Sequence, residues 1–302
     1  MTAACFTKAN GIELCYETFG DPDDVPLLLV MGLGAQMITW PVELCEGLVD
    51  RGFHVIRYDN RDAGLSTRFD DVDGDFLTTF LAASQGDDVE VPYRLSDLAA
   101  DGMALLHALG IESAHVVGAS MGGMIAQTMA IMAPERVLSL TSIMSTTGRR
   151  TVGWQSPSLL PMLVAPRRPG REAYVQSSAA MWKVIGSPGF PSDTEVRRRR
   201  AEETFDRGFS ASGVMRQMLA IITQPNRTVP LRSLGIPAMV IHGLADKMVH
   251  VSGGRATASA VPGTELLLID GMGHDLPAEL FDTFVEAIRR TADRAERADR
   301  AR

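Results

Sequence analysis

The chain has only three cysteines among its 302 residues, Cys5, Cys15 and Cys45. Their number is odd and their spacing is not that of metal ligands, so neither a disulfide framework nor a thiolate metal site is expected. Buried thiols are the simpler reading. No run approaches the roughly 18 apolar residues of a membrane span, and residues 1–16 lack the basic-then-apolar order of a secretory leader. A cytoplasmic protein without a transmembrane segment is expected. Positive charge is not in excess either: 29 Lys and Arg stand against 37 Asp and Glu, a formal net charge of -8. Nucleic-acid affinity comes largely from clustered cations, so nucleic acid is not an expected partner. No internal repeat is visible. What remains, 45% hydrophobic and 22% charged residues, is the composition of an ordinary globular chain. The length suits one α/β core carrying an insertion.

Asn10-Gly11 sits between the short β-type runs 5–8 and 12–17, the arrangement of a two-residue hairpin turn. Continuous apolar runs at 26–30 and 54–58 flank a helical pattern at 41–50 that starts with Pro41. The alternation repeats as helix 96–109, strand 114–117, helix 121–133 and strand 137–143, then resumes as strand 238–242, helix 252–260, strand 265–269 and a last helix near 277–290. Unbroken apolar strands between helices are those of a parallel sheet buried on both faces. The fold class is therefore α/β, with a mostly parallel sheet of about eight strands and helices on both faces. Residues 1–145 and 231–302 form the expected core. Residues 146–230 break the rhythm, carry many prolines and then helical stretches at 195–205 and 214–222, and are expected to be an inserted helical cap. Residues 197–200, four consecutive arginines, are read as a solvated face paired with Glu195, Glu202 and Glu203. The tail after Arg289 is expected to be a frayed helix end.

The chemistry centres on Gly118-Ala119-Ser120-Met121-Gly122, a G-x-S-x-G sequence with an apolar strand directly before it and a helical pattern directly after it. That context places Ser120 on a sharp strand-to-helix turn. A serine hydroxyl is a weak nucleophile at neutral pH, so it needs an imidazole to take its proton and a carboxylate to hold that imidazole. Two later strand-end loops offer them in order, Asp246 in His242-Gly243-Leu244-Ala245-Asp246 and His274 in Gly271-Met272-Gly273-His274. Asp270 and Asp275, which flank the base, stay open as alternative acids. His54, His115 and His242 lie in expected strands, His107 lies on a helix, and His250 follows Asp246 too closely to act as the base. Two backbone amides should face the developing oxyanion: that of Met121, and that of Leu33 in the Met31-Gly32-Leu33-Gly34 loop. This chemistry calls for no cofactor and no metal.

Together with Trp40 and the 58–66 segment Tyr-Asp-Asn-Arg-Asp-Ala-Gly-Leu-Ser, these motifs resemble the α/β-hydrolase superfamily. More narrowly, they resemble actinobacterial esterases of the aclacinomycin methylesterase type and related carboxylesterase-lipases. The likeness covers residues 5–145 and 232–290 and leaves out the cap. Met31 stands where the family commonly has His, and Asp62 where it commonly has Gly; Asp62 is expected to stabilise its turn, an approach to the pocket being the alternative. The resemblance implies a serine esterase that cleaves a small-molecule carboxylic ester through an acyl-enzyme. Carbon-carbon bond hydrolases, thioesterases, lactonases and perhydrolases use the same triad, and some members of the fold only bind ligands. A homodimer is compatible with this reading. In the cap, Met162, Leu163, Val164, Met181, Trp182, Met215, Met218 and Leu219 are apolar, and Trp182, Met215 and Met218 are the candidates for lining the substrate pocket.

Overall fold

The computed structural model describes residues 4–72, 74–159, 162 and 169–300. Asn10 and Gly11 take φ angles of 51° and 77°, as a two-residue hairpin turn requires, and join β1 (Cys5–Ala9) to β2 (Ile12–Phe19). The chain continues as β3 (Val25–Val30), α1 (Val42–Val49), β4 (Phe53–Tyr58), α2 (Phe76–Gln85), α3 (Leu95–Ala108), β5 (Ala114–Ala119), α4 (Met121–Met132) and β6 (Val137–Ile143). An insertion follows, with α5 (Arg171–Ile185), α6 (Thr194–Asp206), α7 (Ala211–Ile222) and the short α8 (Thr228–Leu231). Strand β7 (Ala238–Gly243), α9 (Ser252–Ala260), β8 (Glu265–Ile269) and α10 (Phe281–Arg300) complete it.

The eight strands form one sheet in the order β1-β2-β4-β3-β5-β6-β7-β8. The pairs β1/β2 and β2/β4 are antiparallel, and all the others are parallel. The apolar runs split by alternation, as the twofold period of a strand demands. Leu27 and Leu29 pack with Leu44 and Leu48 of α1 and Phe284 and Ile288 of α10. Leu28 and Val30 pack with Leu98 and Leu106 of α3 and Ile125 and Met129 of α4. Each such fully buried side chain contributes roughly 1.5–3 kcal/mol. Strand order reverses around β3: the chain moves outward to β4, then returns to place β5 on the other side of β3. Such a switch point opens a crevice at the carboxyl ends of the two strands, and the 31–34 loop and Ser120 both leave from there.

Several details differ from the sequence reading. Helices α2 and α5 were not foreseen. Asp75 caps α2 by accepting the Thr78 N–H at 3.1 Å, and Gly86 ends it at φ 101°. Helix α5 is capped by no side chain and buries little more than Val175 and Ile185, so its pattern is faint. The last helix does not fray after Arg289 but runs to Arg300, with Thr291 and Ala292 buried and Arg289 paired to Asp293 and Glu296. Cys15 and Cys45 are buried, their thiols pushed up to about 12 chiefly by that burial, whereas Cys5 is exposed on the edge strand β1. On α6, Arg198 pairs with Glu202 at 3.1 Å and Glu195 at 3.8 Å on a solvated face. Leu163 and Val164 lie outside the described residues. No helix among the described residues is long and apolar enough to cross a membrane.

Candidate active site

Strand β5 ends at Ala119 and α4 begins at Met121, which leaves Ser120 alone to turn the chain. It does so at φ 57°, ψ -121°, a region that costs a non-glycine residue about 1–3 kcal/mol and persists only where the surroundings impose it. Here they do. A methyl group on Gly118 would lie 2.1 Å from the Gly122 carbonyl oxygen, and one on Gly122 would lie 2.0 Å from that of Val30. Only glycine lets the strand, the turn and β3 come this close. The turn presents a half-buried Ser120 hydroxyl at the carboxyl edge of the sheet.

Three of the residues singled out from sequence converge there. His274 Nε2 lies 2.9 Å from Ser120 Oγ, and His274 Nδ1 lies 2.8 Å from Asp246 Oδ2. With Nδ1–H donating to the carboxylate, Nε2 is free to accept the serine proton. The other Asp246 oxygen accepts the Met248 and Val249 amides at 2.8 and 2.9 Å. Burial opposes the charge on Asp246, yet His274 and His242 outweigh it and hold the carboxyl well below the usual carboxylate range. The loops that carry His274 and Asp246 are stitched together, since Leu244 N–H donates to the Ile269 carbonyl and Ala245 N–H to that of Met272. Of the alternative acids, Asp270 is exposed, and Asp275 accepts the Ser187 hydroxyl instead of the imidazole. His242 lies in β7, where the sequence pattern expects it. It is fully buried, its Nε2 2.8 Å from the Val249 carbonyl and 3.4 Å from Asp246 Oδ2, a second imidazole beside that carboxylate.

The 31–34 loop closes over the serine, for a methyl group on Gly32 would lie 3.0 Å from Ser120 Cβ. Leu33 follows Gly32 in this loop. Met121 opens α4, where the first amides have no partner within the helix. The Met31 carbonyl ties this loop to the next one by accepting Asn60 Nδ2 at 2.9 Å.

The insertion grips these loops from above. His274 N–H donates to the Ile185 carbonyl at 2.7 Å, and Gly273 N–H donates to Ser187 Oγ at 2.8 Å. Arg207, directly after α6, donates to Asp59 at 2.6 Å. Arg216 of α7 donates twice to Asp62 at 2.8 Å, and Gln217 reaches both Gly34 and Arg61. Asp62 does stabilise its turn, accepting the Phe69 amide at 2.9 Å, but its carboxylate is also the anchor of Arg216. Trp182, Met215 and Met218 are half-buried. Met218 lies one turn beyond Val214, whose side chain meets Gly34, and Trp182 lies in the last turn of α5 before Ile185. Sequence reasoning passed over Arg216 and Gln217, although two polar residues between Val214-Met215 and Met218-Leu219 are a detectable signal.

The model of the alpha/beta hydrolase fold family matches residues 25–279. The chain belongs to that family. Among curated relatives, this alpha/beta hydrolase is 31% identical to the rhodomycin D methylesterase DauP of Streptomyces sp. strain C5, over 95% of this chain and 97% of the relative. It is also 31% identical to the rhodomycin D methylesterase DnrP of Streptomyces peucetius, over 92% and 94%. It is 27% identical to 3-oxoadipate enol-lactonase 2 of Acinetobacter baylyi, over 93% and 94%. Among solved structures, the enol-lactonase of Burkholderia xenovorans LB400 superposes on it with a TM-score of 0.73 at 22% identity, over 95% of this chain and 99% of the other.

Proposed function

We propose that this alpha/beta hydrolase is a serine esterase that cleaves a carboxylic ester through an acyl-enzyme, with Ser120 as nucleophile, His274 as general base and Asp246 as its orienting acid. The observation that carries the reading is the unbroken relay of 2.9 Å and 2.8 Å from Ser120 Oγ through the His274 ring to Asp246. Ser120 attacks the ester carbonyl and passes its proton to His274 Nε2. The imidazolium is stabilised by Asp246, which its partners keep charged against the cost of burial. The carbonyl oxygen, now negative, is received by the Met121 and Leu33 amides. His274 then protonates the departing alcohol, and water, deprotonated by the same imidazole, releases the acid. No step needs a cofactor or a metal.

The likeness to two methylesterases along nearly the whole chain favours a methyl ester on a larger scaffold, and residues 146–230 would form the cap that receives that scaffold. A lactone is an internal ester, and the enol-lactonase relative supports ring opening by the same steps as a second reading. Methyl esters and lactones of graded size, followed by acid release at constant pH, separate the two. Methanol and free acid from the methyl esters support the esterase. Turnover of lactones alone would replace it with the second reading, and turnover of neither would contradict both.

A further inference from the structure

Gln217 of α7 is completely buried and belongs to the insertion, yet both ends of its carboxamide are spent on core loops. Its Oε1 accepts the Gly34 N–H at 2.8 Å, and its Nε2 donates to the Arg61 carbonyl at 2.7 Å. The chemistry of the partners fixes the orientation, because the flipped amide would set N–H against N–H and oxygen against oxygen. Gly34 is held at φ 64° directly after Leu33, at one end of the loop whose other end, Gly32, lies against Ser120. The helix cannot shift independently. A methyl group on Gly213 would lie 2.5 Å from the Asp62 carbonyl oxygen, and the neighbouring Arg216 is locked to Asp62. Residues 213, 216 and 217 form one face of α7 at i, i+3 and i+4.

We propose that Gln217 is a positioning residue for the oxyanion loop: by holding Gly34 it sets where the Leu33 amide points, so the insertion completes the catalytic apparatus of the core. This rests on the esterase reading above. An oxyanion donor works by being aimed beforehand at charge that appears only in the transition state, so a loosened donor costs rate more than substrate binding. Loss of one whole donor costs about 100- to 1,000-fold in kcat, and misaiming one should cost less, about 10- to 100-fold.

The test uses the full-length protein and Gln217→Met, which keeps the volume and removes both hydrogen bonds, beside Gln217→Glu, which keeps an acceptor for the Gly34 N–H. p-Nitrophenyl butyrate gives kcat and KM, an alkyl trifluoromethyl ketone gives an inhibition constant for an oxyanion adduct, and deuterium exchange of peptides spanning residues 31–37 reports the loop. In Gln217→Met the expected results are kcat down about 10- to 100-fold at nearly constant KM, weaker ketone inhibition in proportion, and faster exchange at 31–37. Gln217→Glu should recover part of each loss. A folded Gln217→Met with kcat and ketone inhibition within twofold of wild type would overturn the positioning role alone, as would a fall in kcat with unchanged exchange at 31–37. A wild type inert to both ester and ketone would overturn the esterase reading and this proposal with it.

Discussion

Replacing Arg216 by Met should destabilise the protein by about 3–5 kcal/mol, the usual cost of stranding one partner of a buried ion pair. The Asp62 carboxylate is fully enclosed, and Arg216 is 1% exposed. A carboxylate has about four lone-pair sites, and all are filled: two by Arg216, one by Tyr93 Oη at 2.6 Å and one by the Phe69 amide at 2.9 Å. Burial pushes the Asp62 carboxyl up, but Arg216, Tyr93 and Phe69 outweigh it and hold it below the usual range. In the wild type the pair therefore contributes fully above the unfolded carboxyl value of about 3.9 and is lost only as pH falls through the lower folded value. Without Arg216 the balance reverses. Burial then raises the folded value above the unfolded one, the folded state binds the extra proton, and the deficit of the variant should shrink as pH falls from 7.5 toward 5. Adding Asp62→Asn, which tolerates the φ of 66° at this position, removes the stranded charge and should recover more than half of the loss. Urea unfolding at pH 7.5 and 5 of the wild type, the two single variants and the double variant supplies the cycle. A loss below about 1 kcal/mol in Arg216→Met, far under the cost of an uncompensated buried charge, would refute the reasoning. So would a deficit equal at both pH values, or a double variant no more stable than Arg216→Met.

Gly122→Ala should cost several kcal/mol or prevent folding, because its methyl group meets rigid backbone 2.0 Å away at Val30; thermal melting of purified protein checks this. Asp246→Asn should lower kcat about 10³- to 10⁴-fold with little change in KM, since it favours the wrong imidazole tautomer, and steady-state kinetics on p-nitrophenyl butyrate read it. Alanine at Trp182, Met215 or Met218 should shift the preference among p-nitrophenyl acetate, butyrate and octanoate, each methylene being worth about 1–3 kcal/mol in a fitted pocket. Unchanged ratios in all three folded variants would move specificity to the core loops near Leu33.

The sheet and most of the helices that cover it were legible because their signals are local and repeated. Strands buried on both faces cannot hide their apolar runs, and the Gly-x-Ser-x-Gly turn declares itself through the steric demand that Gly118 and Gly122 satisfy. Asp246 and His274 could be picked out because strand-end loops in a parallel sheet converge on one edge. What stayed hidden depends on contacts far apart in sequence. Nothing around Asp62 announces a partner 154 residues away at Arg216, and Gln217 acquires meaning only when α7 is laid across the 31–34 loop. His242 looked ordinary for a local reason: an imidazole inside a strand gives no sign that the loop after it turns Asp246, in the same short stretch, back to its side. Helix α5 escaped notice for a different reason: too few of its side chains are buried to impress a period on the sequence.

The central claim is that Ser120 is the nucleophile, made reactive by His274 and Asp246. Its most direct test is reaction of the folded protein with a fluorophosphonate, followed by intact mass and peptide mapping, with Ser120→Ala as the paired control. The account predicts a single adduct on the peptide that contains Ser120, loss of ester turnover in step with labelling, and neither adduct nor turnover in a Ser120→Ala variant that melts like the wild type. An adduct on another residue, or a folded Ser120→Ala protein retaining more than about a tenth of wild-type kcat where a lost nucleophile should cost 10³-fold or more, would contradict it.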